Sequence, residues 1–212
     1  MPFGRTFRVA ARLVLVAGVG LGVWGCGVGG GGDPELASRL TGAQFAPSLP
    51  TRIYAFADRN TADFYLTDLP PEVWTGGADV SEMTGSMVHV HMFLASRAGR
   101  TPIEPTASSA TIRVVVLGGG TMGVYGGGGF LLRSGEPGDS SFGGAIRAGT
   151  MRLLRATPGF VDRLGPCEFK GSFQANLDAS QAANMQRAFE ALVRATTPLP
   201  EAAGLEEDQP RR

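Results

Sequence analysis

The sequence predicts a mainly β domain, an antiparallel β-sandwich or barrel-like sheet that carries one C-terminal amphipathic helix. Three observations lead there. Short apolar runs alternate with period two and are separated by Gly, Pro, Asn and Asp. Helical spacing persists over several turns only after Asp178. Alternating βα units, which a parallel sheet needs, are missing from the pattern.

Taken in order, Asp33-Pro34 opens a stretch to Leu40 that predicts a short helix, with Asp33 as N-cap and Gly42 closing it. Residues 42–50 read as linker, so the domain starts near Thr51. Strands are expected at 51–57 and 62–69 around an Asp58-Arg59-Asn60 turn, and Pro70-Pro71 stops the second. Residues 72–85 read as a polar loop carrying Trp74. From Met87 to Ala95, Val88, Val90, Met92 and Leu94 face one way while His89, His91 and Phe93 face the other, the signature of a half-buried strand. A long crossing loop, 96–109, leads to the β-branched strand 111–117. Gly118-Gly119-Gly120 turns the chain, 122–125 returns beside it, and four glycines at 126–129 lead into Phe130-Leu131-Leu132. The 32 glycines and 14 prolines are assigned to turns. Two more short strands are expected at 142–146 and 150–156.

The clearest strand is 167–177, where Cys167, Phe169, Phe173, Ala175 and Leu177 alternate with polar residues. Asp178 then caps a helix over 178–196, with Gln181 in the capping-box position. Ala182, Met185, Phe189, Leu192, Val193 and Thr196 give it one face to lay on the sheet. Residues 197–212, with two prolines and the acidic run Glu206-Glu207-Asp208, read as a disordered tail.

The N-terminus predicts location. Arg5, Arg8 and Arg12 precede a charge-free run from Leu13 to Trp24. That run is too short to cross a ~30 Å hydrocarbon core, which takes about 20 helical residues, and it has the form of a secretory signal peptide. Its end, Val23-Trp24-Gly25-Cys26, resembles the lipobox of bacterial lipoproteins. The resemblance covers residues 1–26 and implies cleavage of 1–25, acylation of Cys26 and anchorage in a membrane of the bacterial cell envelope, with the domain facing the periplasm or the exterior. Gly27 to Gly32 contains five glycines and Val28, a flexible leash between anchor and domain. The expected organisation is therefore signal peptide 1–25, lipidated Cys26 and tether 26–50, β-rich domain 51–196 and tail 197–212.

Charge and cysteine content narrow the partners. The chain has 19 basic and 19 acidic residues, and losing the three arginines of the leader leaves a formal −3. There is no basic stripe, so nucleic acid is not an expected partner. With Cys26 acylated, Cys167 has no disulfide partner, and its place on an apolar strand face predicts a buried thiol.

Few residues suggest chemistry. Gly118-Gly119-Gly120-Thr121-Met122-Gly123 satisfies G-x-G-x-x-G, but no helix follows it to meet a pyrophosphate, so no dinucleotide and no other cofactor is expected. His89 and His91, two apart on one strand, could reach a single metal ion, with Asp68 or Glu104 as further ligands; otherwise they are polar residues on an outer sheet face. Trp74 and Tyr125 are either exposed recognition aromatics or plugs of the end of the sandwich. Asp162-Arg163 reads as a surface turn with a local ion pair. Two functions of different class follow. One is a non-catalytic, lipid-anchored module for binding, adhesion or envelope structure, with an envelope protein or polysaccharide as partner. The other is a lipid-tethered metal-dependent hydrolase using His89 and His91. A folding or transport accessory that carries lipophilic cargo between sheets is a third.

Overall fold

The computed structural model describes residues 32–76, 78–95 and 108–200. The expected signal peptide, Cys26, Glu104 and the end of the tail lie outside the described residues. Eleven strands and two helices follow one another as β1 (Glu35–Ser38), β2 (Gln44–Phe45), β3 (Thr51–Phe56), β4 (Ala62–Thr67), α1 (Glu72–Thr75), β5 (Thr84–Met92), β6 (Ala110–Gly118), β7 (Met122–Gly129), β8 (Leu131–Ser134), β9 (Ser141–Ala156), β10 (Cys167–Leu177), α2 (Ala179–Arg194) and β11 (Thr197–Pro198).

The fold is mainly β, and the barrel-like geometry is the one adopted. Antiparallel pairing runs β3, β4, β5, β6, β7, β9, β10, and β10 then meets β3 again through the parallel pairs Asn176↔Ile53 and Leu177↔Tyr54. Closing the sheet leaves the ring strands without long unpaired edges, the usual hazard of an open sheet. β8 continues from β7 along the same edge of β9, and β1 with β2 extends along β10. One end, called here the hairpin end, carries the β6–β7 turn, the β9–β10 loop and the β1–β2 loop. At the turn Gly118 N–H donates to Thr121 O (2.8 Å), with positive φ at Gly119 and Gly120. Those two left-handed positions are the type I′ pattern of a two-residue hairpin, and they account for the glycine-rich motif without a nucleotide.

Period-two alternation sorts side chains to two cores. Inward-facing Tyr54, Phe64, Val88, Val90, Ile112, Val114, Phe142, Phe169 and Phe173 belong to a cluster that fills the barrel. Phe64 is central, 5.7 Å from the Tyr54 ring and 5.2 Å from both Phe142 and Phe173. These inward-facing side chains pack against one another across the barrel. Outward-facing Tyr65, Met87, Val115, Leu117, Met122 and Val124 form a second core with Ala182, Met185, Phe189 and Leu192 of α2. Asp178 caps α2 as expected, its Oδ1 accepting from Gln181 N–H at 2.9 Å.

Several expectations are corrected. The stretch read as a helix at 33–40 is strand β1, because Leu36 finds full burial beside β10 while Glu35 pairs with Lys170 at 2.9 Å. The tether does not extend to residue 50: β2 pairs with β1, and Leu49 is fully buried. The 72–85 loop contains α1, and the strand begun at Met122 runs on through Gly126 to Gly129. A Cβ at Gly127 would lie 1.8 Å from the Thr150 carbonyl oxygen, and one at Gly129 would lie 2.9 Å from Gly149 Cα. These glycines therefore serve close approach of bent strands, not a turn. The two strands expected at 142–156 are one, β9, and the segment expected as tail begins with β11 paired to Ala156 and Arg155.

Candidate functional site

Strand register gathers the polar residues of the outer face. Across β4, β5 and β6, Asp63 lies opposite His91, Tyr65 opposite His89, and His89 opposite Arg113. Cross-strand neighbours on one face stand within side-chain reach. Asp63 Oδ1 accepts from His89 Nε2–H and from His91 Nδ1–H, each at 2.8 Å. Arg113 Nη2 donates to His89 Nδ1 at 3.2 Å and to Glu190 Oε1 of α2 at 2.7 Å. One nitrogen of His89 donates and the other accepts, which defines a neutral imidazole. The ring is sandwiched as well: Tyr65 stacks on it at 4.7 Å and nearly parallel, while Phe189 of α2 meets it edge-on at 5.4 Å. The Arg113 guanidinium lies 4.9 Å over the Phe189 ring, a cation–π contact.

The electrostatics follow from burial. His89 is 7% exposed. Burial pushes its pKa below the ordinary value; the Asp63 hydrogen bond opposes this, and the Arg113 charge adds to it. For Asp63 burial acts upward, but the hydrogen bonds from the two imidazoles and their electrostatic attraction together outweigh it and hold the carboxyl below its usual range. The cluster is a neutral ring held between an anion and a cation, closed from above by α2.

This arrangement differs from the metal site considered from sequence. His89 and His91 do converge, but on Asp63. The lone pair of His89 faces Arg113, so ligation of a cation would require moving a guanidinium out of the way. Asp68 is engaged elsewhere, accepting from Ser86 N–H at 2.6 Å. Among the described residues no group of three or more His, Cys, Asp or Glu is placed to hold a metal. Asp63, Arg113 and Glu190 were not anticipated. The first two face histidines only once the β4–β5–β6 register is known, and Glu190 only once α2 is docked.

The recognition aromatics take their structural alternatives. Trp74 lies on α1 and is buried in the core beneath α2, so it closes the outer face and is not an exposed recognition residue. Tyr125 points into the barrel, where its hydroxyl donates to Asp162 Oδ1 at 2.7 Å. Burial and this acidic neighbour both push its phenol far upward. Asp162 Oδ1 also accepts from Leu164 N–H (3.0 Å) and Gly165 N–H (2.9 Å). The expected ion pair with Arg163 is thus replaced by a turn locked onto Tyr125.

The described residues also form concave surfaces, among them the following two. A cleft of about 650 Å³ at the hairpin end is lined by Phe45, Val116, Tyr125, Phe160, Val161 and Leu164 with Arg163 at its side. A trough of about 590 Å³ crosses β8, β9 and β10, a stretch of wall outside the apolar core under α2, and is lined by Arg52, Arg133, Arg147, Ser134, Ser172 and Gln174. Arg52 donates to Asp33 Oδ1 and to Leu49 O, both at 2.7 Å, and Arg133 pairs with Glu136. Arg147 is exposed. No family model, curated protein or solved structure matches the chain.

Proposed function

We propose that this chain is a lipid-anchored β-barrel of the bacterial cell envelope that acts by binding and not by catalysis. Cys26, acylated after removal of residues 1–25, is the anchor, and the tether carries the barrel into the periplasm or onto the cell exterior. The observation that carries the non-catalytic part is the closure of α2 over His89. The residue types that could do enzyme chemistry, Asp63, His89, Arg113 and Glu190, are spent on one another. Such a cluster locks a helix to a sheet; a general base needs a lone pair facing substrate. For the binding surface, the trough suits an envelope polysaccharide or protein that presents a carboxylate, which the exposed Arg147 would meet beside Arg52 and Arg133, themselves paired with Asp33 and Glu136.

Detergent phase partitioning with intact mass, on wild type and Cys26→Ser made in a lipoprotein-competent bacterium, tests the anchor. Wild type is expected in the detergent phase with added acyl mass, and the variant without it. Aqueous wild type cleaved at another residue would end the lipoprotein reading. Metal analysis addresses the hydrolase alternative: one equivalent of metal in wild type, lost from the His89→Ala, His91→Ala double variant, would restore it.

A further inference from the structure

We propose that the cleft at the hairpin end of the barrel binds a small monocarboxylate with an apolar body. The body lies against Phe45, Val116 and Phe160, and the carboxylate meets Arg163. This is a second site, apart from the trough and independent of the anchor.

The barrel core comes to the surface at this cleft. Phe45, Val116 and Phe160 pack against the core residues yet stay only half-buried. Three segments far apart in sequence, within 43–45, 116–125 and 159–164, supply the wall. Covering apolar surface that a closed core leaves open is favourable. The volume of about 650 Å³ is that of a site for a small organic ligand, and the mouth of a β-barrel is a common place for one.

The wall is fixed before any ligand arrives. Thr157 N–H donates to Met122 O and Met122 N–H donates to Thr157 Oγ1, both at 2.8 Å. Further along the same loop, Asp162 accepts from the Tyr125 hydroxyl. Between these two ties the Phe160 ring lies on the backbone of Gly123, where a Cβ would come within 2.3 Å of Phe160 Cζ. The same ring meets Tyr125 edge-on at 6.5 Å. A wall held in this way has little freedom to lose on binding, which favours a ligand too small to make many contacts.

Charge selects the ligand class. Arg163 is the one charged residue in the cleft wall. It is exposed and has no ion-pair partner among the described residues. Its neighbour Asp162 is turned to Tyr125 and to the Leu164 and Gly165 N–H groups. The other acidic residues Asp68, Glu72, Asp79 and Glu82 belong to the segment between β4 and β5, and none of them lines the cleft. One guanidinium matches one carboxylate through paired donors. A phosphate monoester would bring close to two charges to this single cation, and a sugar acid would set hydroxyls against an apolar wall.

The test is photolabelling of the full-length chain with 4-benzoylbenzoate, a diaryl ketone bearing one carboxylate, alongside its neutral amide, followed by peptide mapping. Labels are expected within 43–45, 116–125 or 159–164. Half-saturation should come at a concentration about tenfold lower for the acid than for the amide, the weight of one charge-assisted hydrogen bond. Arg163→Gln, a change at an exposed position, should erase that difference, and Arg147→Ala in the trough should leave it intact. Labels mapped to 132–134, 144–147 or 172–174 would overturn the site by placing the carboxylate in the trough. Equal labelling of the cleft by acid and amide would overturn the ligand class. Protection of the cleft at rising protein concentration would give the face to a second copy, and scattered labels that never saturate would end the proposal.

Discussion

Replacing His89 separates what packing contributes from what its hydrogen bonds contribute. His89→Ala removes a ring stacked on Tyr65 at 4.7 Å and met by Phe189 at 5.4 Å, together with bonds to Asp63 and Arg113. Buried aromatic truncations cost about 3–5 kcal/mol, and imidazole is the smaller ring, so about 3 kcal/mol is expected. At roughly 2–4 °C per kcal/mol for a chain of this size, the melting temperature at pH 8 falls by about 6–12 °C. His89→Phe keeps the stack and loses only the hydrogen bonds. Asp63 retains His91 and Arg113 retains Glu190, so its cost is about 1–2 kcal/mol.

The same pair of variants decides the pH dependence. Burial, reinforced by Arg113, holds the folded pKa of His89 below its ordinary 6.5. As pH falls past 6.5 the unfolded chain therefore takes up the proton first. Stability is full above the unfolded value and is lost below it, by up to about 1.4 kcal/mol per pH unit until the folded ring also protonates. The depressed Asp63 acts in the same direction at lower pH: its contribution is present above 3.8 and disappears as pH falls through the folded value. Denaturant unfolding at pH 8, 6.5 and 5 should show wild type weakening toward pH 5 and His89→Phe weakening less. An unchanged pH slope in His89→Phe, or a His89→Ala melting temperature within about 2 °C of wild type, would refute the latch.

Three further substitutions test the barrel. Gly127→Ala sets a Cβ 1.8 Å from the Thr150 carbonyl oxygen; a cost of about 3 kcal/mol or more is expected, read as loss of soluble yield or a large drop in melting temperature. Tyr125→Phe removes the 2.7 Å bond to Asp162 but keeps the ring, so unfolding free energy should fall by about 1 kcal/mol, with faster amide exchange in the Asp162 turn. Asp178→Ala deletes the α2 N-cap and should cost about 1 kcal/mol, with exchange rising in the first turn of α2 and not in β3.

Much of the fold was legible because period two and period 3.6 are direct consequences of burying one side of an element. The alternation at 87–95, of which the strand takes the part to Met92, that at 167–177 and the capped run after Asp178 reappear in β5, β10 and α2. What failed was decided by neighbours. Residues 35–38 carry a helix-like start signal, yet the unpaired edge of β10 offers Leu36 a buried place only as a strand. Glycines 126–129 have a turn composition, but strand β7 needs residues without Cβ where it presses on Thr150 and Gly149. Closure of the sheet rests on two parallel residue pairs between distant segments, and no local pattern encodes those.

The candidate site shows the same limit. Alternation placed His89 and His91 correctly on the face opposite Val88 and Val90, but it cannot say what covers that face. In an open antiparallel sheet it would be water, and two histidines there would be free to bind a metal. Here α2 lies across it, so His89 is buried and needs protein partners on both ring nitrogens, while Asp63, His91 and Arg113 keep 34–39% of their side-chain surface exposed at its margin. Asp63 and Arg113 supply those partners, and Glu190 holds Arg113. The docking that completes the second core is thus the same event that covers His89.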